Sequence, residues 1–454
     1  MRTRRGVVAG LLVGLVLAVG CGKTRTQEGE PPAPPSPGQT EWMRQFGGSG
    51  RDRAVAVAVD ADGNVLLGGQ YEGESHFGGE PLPNHGRGGT RGEFDEDAVV
   101  AKYSPSGEHL WSLGFGGVSR SAWVKDLALQ GREVLVLGES LGGLELEGGN
   151  VPTGDFLLRL DPGGRLLHAV ALEVPAEHLV VEPSGDLLVV AREALGTDGR
   201  TTLHLARLDP LGAPRWRREF TAEGWTFVWA LEQDSSGNLY MAGRYQGVLR
   251  LGPLSLSAGP GAFQPFVAKL SADGEALWVR GFSPPPGGGS GSSASVHGLA
   301  VGRDGQVFVS GSFHEGLEID GHVSTASSAG FLAALDEGDG KARWVQWFSA
   351  DNFASMYAVR VDAEGAVLVS GTFQGTMLVG GLPLTNGHEA RAAALVAKYR
   401  PSGEHIWSRV LSDEQGVGLS MGAMACAPSG RVVLPTSILR DGKDYDVMLW
   451  SLWP

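Results

Sequence analysis

Five chemically diverse side chains stand at one equivalent position when the chain is aligned on itself. In successive repeats this position reads Lys125, Glu177, Trp229, His297 and Tyr357. The first and last copies carry Val55 and Gly422. A structural position should repeat one residue type, so this variable row predicts a ring of side chains that binds a polar or aromatic ligand. The alternative is that the row is a solvated strand start, where any residue is tolerated.

The position two residues further along each repeat is uniform by comparison. Every copy is apolar, which is typical of a core position: Val57, Leu127, Leu179, Leu231, Leu299, Val359 and Met424. The contrast between the two rows is what singles out the first as a candidate site.

Catalysis would need more than a diverse ring. The sequence shows no nucleophile with a base placed nearby, so we assign no catalytic residue and expect no enzyme. One enzymatic alternative stays open, a hydrolase or lyase with its active site at the mouth of a central channel. Such an enzyme would need two or more carboxylates converging within about 5 to 10 Å.

Metal and cofactor sites are not predicted either. The stretch from Asp60 to Asn64 faintly resembles a calcium loop, but Tyr71 stands where a closing acid would be needed, so a hairpin turn is expected. The acidic residues between 93 and 97 could hold a cation or a basic partner, or form a solvated loop. The tract 287–293 is rich in glycine and serine but lacks the lysine and threonine of a phosphate loop.

Composition excludes one class of partner. The 454-residue chain has a formal net charge of −14, with 71 glycines and only two cysteines. Nucleic acid selects basic surfaces, so we expect no nucleic-acid binding. With one of its two cysteines assigned to the N-terminal segment, the chain should form no internal disulfide.

The N-terminal segment predicts export. Residues 1–20 combine a basic start with an apolar run that is too short to span a bilayer, as in a signal peptide. The junction before Cys21 resembles the bacterial lipobox, with Ala18 where leucine is usual, and this implies lipidation of Cys21. Cleavage by an ordinary signal peptidase, leaving a free thiol, is the alternative. Lys23 implies an outer-membrane lipoprotein, and residues 21–40 predict a proline-rich tether.

Residues 41–454 consist of repeats of four short β-strands separated by turns. The turn between the first and second strands is marked by seven glycines, from Gly63 to Gly430. The turn between the third and fourth strands carries a glycine four residues before a tryptophan, as in Gly107 and Trp111. The pattern predicts an all-β fold, a seven-bladed β-propeller with four-stranded blades.

The last repeat lacks its fourth strand. Residues 41–46 match the outer-strand pattern and precede the first inner strand. We therefore predict that the N-terminal strand completes the last blade and closes the ring, which removes an exposed sheet edge.

Three stretches carry a resemblance to a known family. They are WMRQFGGSGRDRA (42–54), AVDADGNV (58–65) and VAKYSPSGEHLWS (100–112). The chain resembles the bacterial SBBP repeat, a seven-bladed propeller repeat of exported proteins. The resemblance covers 41–454 and is weak between 122 and 219; it implies fold and export and carries no assigned activity.

The connection between the two marked turns varies in length, from 27 residues between Gly185 and Gly212 to 44 between Gly63 and Gly107. In a propeller this variation maps to one face, where loops on a rigid scaffold usually bind ligands. We therefore expect a monomeric, non-catalytic binding or scaffold lipoprotein that presents its variable-loop face to a protein or a glycan. Residues 334–344 are also similar to one repeat of quinoprotein-like propellers, including the propeller lipoprotein of the β-barrel assembly machinery, so an envelope assembly factor is another alternative.

Overall fold

A computed structural model describes residues 35–83, 96–116, 121–195, 199–259, 261–285, 292–386, 391–411, 423–440 and 444–454. Residues Ser36–Pro454 form one compact unit. The predicted signal peptide, Cys21, most of the tether and Gly422 lie outside the described residues. So do residues 93–95 of the acidic stretch and most of the tract 287–293.

The described residues form strands and turns. The first sixteen strands are β1 (Thr40–Gly48), β2 (Arg53–Val59), β3 (Val65–Glu72), β4 (Ser75–His76), β5 (Glu96–Tyr103), β6 (His109–Phe115), β7 (Ala122–Gln130), β8 (Glu133–Ser140), β9 (Leu144–Leu146), β10 (Gly149–Val151), β11 (Gly154–Leu160), β12 (Leu166–Ala171), β13 (His178–Val181), β14 (Leu187–Leu195), β15 (Arg200–Leu208) and β16 (Pro214–Ala222).

The remaining strands are β17 (Thr226–Gln233), β18 (Leu239–Tyr245), β19 (Val248–Leu251), β20 (Leu254–Ser257), β21 (Gln264–Leu270), β22 (Ala276–Gly281), β23 (Ser293–Val301), β24 (Val307–His314), β25 (Leu317–Ile319), β26 (His322–Ser324), β27 (Ser328–Leu335), β28 (Ala342–Phe348), β29 (Phe353–Val361), β30 (Val367–Gln374), β31 (Thr376–Val379), β32 (Leu382–Thr385), β33 (Ala393–Tyr399), β34 (His405–Leu411), β35 (Ala425–Cys426), β36 (Val432–Arg440) and β37 (Asp444–Leu452). Within the described residues, no helix is long and apolar enough to cross a membrane.

These strands build seven antiparallel blades, which confirms the predicted fold. From the inside outwards, the first six are β2-β3-β5-β6, β7-β8-β11-β12, β13-β14-β15-β16, β17-β18-β21-β22, β23-β24-β27-β28 and β29-β30-β33-β34. Their second and third strands are almost entirely buried, because both faces of each blade pack against neighbours. The core therefore lies between the blades.

The seventh blade joins the two ends of the chain. Its order is β35-β36-β37-β1, and β1 pairs antiparallel with β37 through Met43 and Trp450, and through Phe46 and Val447. The closing strand runs over Thr40–Gly48, slightly longer than the predicted 41–46. The sequence prediction of ring closure is confirmed.

The repeated tryptophans join neighbouring blades. Each indole packs beneath the glycine turn of the following blade, and the Trp42 indole N–H donates to the Pro105 carbonyl at 2.9 Å. An added Cβ on Gly107, where φ is +77°, would lie 2.8 Å from the Trp42 ring. The seam is the part of the seventh blade where β1 and β37 bring the two chain ends together. There, Trp407 packs in the same way on Gly38, whose N–H donates to the Trp453 carbonyl at 2.9 Å. The turn of the seventh blade is thus assembled from both chain ends.

Lysines recur on the third strands of the blades. A lysine repeated at one strand position is most simply a solvated residue, yet Lys102 and Lys398 are both buried. Lys102 Nζ lies 2.9 Å from Asp60 Oδ2 and Lys398 Nζ 2.9 Å from Asp362 Oδ2, in the turn between the first two strands of the blade. These residues form buried ion pairs that tie the third strand to that turn.

Accessory strands account for much of the variable loop length. Between the second and third strands of four blades the chain forms an extra strand or hairpin that pairs with the end of the preceding blade's outer strand or with a residue just after it. The pairings are β4 with β1, β19 with β16, Glu318 with Ser283, and Met377 with Ala350. In these blades the extra length therefore has a structural role, and loop length alone does not indicate a binding site.

A buried polar cluster lies at one end of the seam. Asp52 accepts hydrogen bonds from the Gly48 N–H at 2.8 Å and the Ser75 hydroxyl at 2.9 Å. Asp446, on β37, lies beside Gly47, as Asp52 does, and pairs with Arg440. Burial, reinforced by the charge of Asp446, raises the pKa of Asp52 to about 6, despite the hydrogen bonds from Gly48 and Ser75 and the charge of Arg440.

We predict that Asp52 makes the seam sensitive to pH. Its folded-state pKa lies above the unfolded value of 3.8, so between these values the folded state binds more protons and stability falls as pH rises. The Asp52→Asn variant should remove this slope and gain up to about 3 kcal/mol relative to the wild type at pH 7. Urea denaturation between pH 4 and pH 7.5 measures it, with the exposed Asp62→Asn as control. Parallel profiles for the wild type and Asp52→Asn would contradict the assignment.

Candidate functional site

The candidate ring residues are positioned by a β-bulge that recurs in the inner strands. The pairing of inner and second strands skips one residue, and the skipped residues are Val55, Lys125, Trp229, His297 and Tyr357. In the third blade, Glu177 donates its N–H to the Val190 carbonyl while His178 is paired with Val190, so Glu177 takes the equivalent place. A β-bulge changes the direction in which nearby side chains point, and bulges are common next to functional sites. Here they place the variable row at the start of the channel.

A cavity of about 320 Å³ lies in the channel below this row. Four of the predicted ring residues line it: Lys125, Trp229, His297 and Tyr357. The fifth, Glu177, is not among the lining residues, whereas its neighbour His178 is. The structure therefore brings most of the predicted ring into one site.

The charged groups deeper in this cavity were missed at the sequence level. Asp126, His178, Glu232 and Arg360 all line it. The Asp126 carboxylate accepts the N–H of Leu127 at 2.8 Å and that of Leu179 at 3.0 Å. His178 Nδ1 lies 4.0 Å from Asp126 Oδ2, and Arg360 Nη1 lies 3.7 Å from Glu232 Oε1.

Burial governs the protonation of the two acids. It raises the pKa of Asp126 against the opposing effects of His178, two backbone N–H donors and Arg360. It also raises the pKa of Glu232, and Asp126 reinforces this while Arg360 opposes it. The Asp126 side chain is still 26% exposed, because it opens onto the cavity. The channel thus holds two mutually interacting carboxyl groups with cationic neighbours.

A signal for these residues exists in the repeats. The position directly after the variable row is small in five copies and is broken only by Asp126 and His178; its members are Ala56, Asp126, His178, Ala230, Gly298, Ala358 and Ala423. Two positions further on, Glu232 and Arg360 interrupt a row that is otherwise alanine and valine. Charged side chains in a row of small residues are the signature that reveals the channel lining.

The two histidines also tie inner strands together. His178 Nε2 lies 3.2 Å from the Val228 carbonyl and His297 Nδ1 lies 2.9 Å from the Met356 carbonyl, each on the next inner strand. A carbonyl only accepts, so these ring nitrogens carry the proton. Burial lowers the pKa of His297, and the charge of Arg244 lowers it further. His297 is therefore neutral at pH 7, with Nε2 left as an acceptor.

Lys125 and Glu177 are already neutralised by protein groups. Lys125 pairs with Asp155 and, at 2.8 Å, with Glu139. Glu177 Oε1 lies 3.8 Å from Arg192 Nε, and burial raises the pKa of Glu177. These two ring members are better placed to orient the site than to bind a charged ligand.

The exposed part of the site is an aromatic shelf, formed by Phe227, Trp229 and Phe263. Trp229 is 41% exposed, and its ring stacks on Phe227 with centroids 5.6 Å apart and planes 5° apart. Phe263 lies 6.0 Å from Phe227. Next to the shelf, His297 and Tyr357 stack with centroids 5.4 Å apart. The mouth therefore presents flat aromatic faces above a polar channel.

Candidate metal ligands are used by the protein itself. No group of three or more metal-ligating side chains converges in the part of the chain that the structure describes. Asp60 accepts the N–H groups of Asp62 and Asn64 and pairs with Lys102, which agrees with the predicted hairpin turn. Glu96, from the acidic stretch, pairs with Arg53 at 2.9 Å.

Several solved structures match the chain at very low sequence identity. A protein of unknown function from Dyadobacter fermentans matches with a TM-score of 0.40 and 12% identity, over 90% of this chain and 99% of its own. Polysaccharide lyase Uly1 matches with a TM-score of 0.48 and 10% identity, over 88% and 90% of the two chains. Regucalcin, a calcium-binding protein from Agrobacterium tumefaciens, matches with a TM-score of 0.32 and 15% identity, over 65% and 83%. No protein-family model and no curated protein matches the chain. The SBBP resemblance therefore stays a prediction.

Proposed function

We propose that the protein is an exported, non-catalytic binding propeller that holds a glycan at its channel mouth. The observation that carries this proposal is the exposed Trp229 ring, stacked flat on Phe227 above a polar cavity. A sugar ring has an apolar face and polar edges, so it can lie on an aromatic plate while its hydroxyl groups reach hydrogen-bonding groups below. The cavity, at about 320 Å³, is at the lower end of the size of small-ligand pockets.

The N-terminal sequence is the basis for the cellular location that we propose. We infer that Cys21 carries lipid and that residues 21–40 tether the propeller to the outer membrane as an SBBP-type lipoprotein. Incorporation of an alkyne-labelled fatty acid into the wild type, and its loss in Cys21→Ser, is the expected result. Equal labelling of both proteins would contradict it.

Removal of the Trp229 ring should abolish most of the binding. Truncating a central aromatic contact costs at least about 2 kcal/mol, or roughly thirtyfold in affinity. A glycan array with the soluble propeller, followed by calorimetry on the best oligosaccharide, measures this for Trp229→Ala. The matched control is Trp225→Ala, since Trp225 is 37% exposed but does not line the cavity. Equal losses in both variants, or no oligosaccharide bound at all, would refute the glycan site.

A hydrolase or lyase is the second candidate, because Asp126 and Glu232 lie in the same cavity and interact electrostatically. Burial keeps Glu232 more readily protonated than a free carboxyl, as a general acid requires. The two functions differ in turnover. Release of new reducing ends or of unsaturated sugars by the wild type, lost in Glu232→Gln, would establish the enzyme; binding without turnover supports the binding module.

A further inference from the structure

Arg244 is an unusual cation beside the aromatic shelf. It lies on β18 as the cross-strand partner of Phe227. Its guanidinium carbon is 4.8 Å from the centroid of the Phe227 ring and 4.4 Å from that of Phe263. Its Nε atom is buried and has no hydrogen-bond partner among the described residues. No described carboxylate lies within ion-pair distance of it.

Other half-buried arginines have partners for their N–H groups. Arg192 lies 3.8 Å from Glu177 and Arg431 lies 2.7 Å from Glu41, while Arg44 and Arg409 donate to backbone carbonyls. Removing a cation from water without a counter-ion costs desolvation free energy, and contacts with two aromatic faces offset only part of that free energy. In a protein with a net charge of −14, an arginine that lies against the aromatic shelf without an acidic partner points to a ligand that supplies the anion.

We propose that Arg244 binds the oxyanion of an acidic glycan whose sugar ring stacks on Trp229. This inference rests on the proposed function. Trp229 and Arg244 both lie against the Phe227 ring, so the stacking face and the guanidinium belong to the same shelf. A planar guanidinium presents two parallel N–H donors to an oxyanion, which gives both affinity and orientation.

The charged groups of the channel determine how such a sugar is oriented. Asp126 and Glu232 line the deeper cavity and disfavour the negative charge of the ligand there. The anionic group therefore stays at the shelf with Arg244, and the neutral hydroxyl groups face the channel. The neutral His297 beside Arg244 offers its Nε2 atom to one of these hydroxyl groups.

The oxyanion could be a uronate carboxylate or a sulfate ester, and the test separates them. Calorimetry with oligogalacturonate, a sulfated galactan oligosaccharide, neutral galactan oligosaccharide, sodium glucuronate and sodium sulfate compares the wild type with Arg244→Met and Arg244→Lys. We expect the acidic oligosaccharide of one type to bind best. Its affinity should fall at least about tenfold in Arg244→Met and less in Arg244→Lys. The neutral oligosaccharide should change little. Arg400→Met, at an exposed ion pair, is the control, and thermal melts establish that each variant is folded.

Each outcome bears on one of the two proposals. Trp229-dependent binding of neutral and acidic oligosaccharides with equal affinity would retain the glycan site and overturn the role of Arg244. Binding of glucuronate or sulfate that Arg244→Met abolishes, with no oligosaccharide bound, would support the anion site and refute the glycan site. Unchanged binding of every acidic probe by Arg244→Met would overturn the inference.

Discussion

Deletion of residues 41–46 should abolish folding of the propeller. The deletion removes the outer strand of the seventh blade and leaves the hydrogen-bonding edge of β37 exposed. It also removes Trp42 and Phe46, both of which are buried. Truncating a buried aromatic side chain costs about 3 to 5 kcal/mol, so these two alone approach the total stability of roughly 5 to 15 kcal/mol of a typical protein.

Expression of residues 36–454 with and without the deletion tests this. We expect the deleted protein to be aggregated on size-exclusion chromatography, while the parent is monomeric with a cooperative thermal transition. A circular permutant is the matched control. It joins residue 454 to residue 36 through a short linker and opens the chain between β22 and β23, so it keeps every strand and should fold. A soluble, cooperatively melting deletion product would refute the role of the closing strand.

The fold could be predicted because the residues that join the blades repeat. All blades but the second combine a tight turn with an indole that packs beneath the turn of the next blade, and this keeps the four-residue spacing of Gly107 and Trp111 fixed. Trp42 shows the same pattern, which is why ring closure could be read from the chain. Gly38 stands four residues before Trp42, so the sequence also carried a signal for its place in the seventh turn; the predicted strand began at residue 41 and left this glycine out.

The candidate site could be predicted only in part, since a bulge changes which residues face the channel. The variable row located Trp229 and His297, but the extra residue in each inner strand carries Asp126 and Glu232 into the cavity as well. Loop length could not show that part of the extra length is used in strand pairing, because a pairing such as that of β19 with β16 joins segments that are separate in the sequence. Binding at the variable-loop face stays a prediction. The aromatic shelf depends on cross-strand register, which places Arg244 opposite Phe227.

Burial of a charge is another property that the repeat pattern did not reveal. A lysine that recurs on a strand is expected to be exposed when its partner is not identified. In the structure Lys398 and Asp362 pair at 2.9 Å, with side chains 9% and 1% exposed. Asp362 also accepts the N–H groups of Glu364 and Ala366, both at 2.9 Å. The ion pair therefore holds the turn between β29 and β30 against β33.

We predict that Lys398→Met destabilises the protein by about 3 to 5 kcal/mol, because it leaves the Asp362 carboxylate buried without its counter-ion. Urea denaturation at pH 7 measures the loss. The control is Arg400→Met, two residues away, whose ion pair with Glu404 has side chains 62% and 68% exposed and should contribute less than about 1 kcal/mol.

The double variant Lys398→Met/Asp362→Asn distinguishes the effect of the unpaired charge from the effect of the hydrogen bonds in the turn. If the cost of Lys398→Met comes from the unpaired charge, neutralising Asp362 should recover most of it, because the asparagine oxygen can still accept the N–H groups of Glu364 and Ala366. Additive losses in the double variant would mean that the two residues stabilise the blade independently. Since Lys102 and Asp60 form the same contact in the first blade, Lys102→Met, Asp60→Asn and the double variant should give the same pattern as the corresponding two single variants and double variant of Lys398 and Asp362.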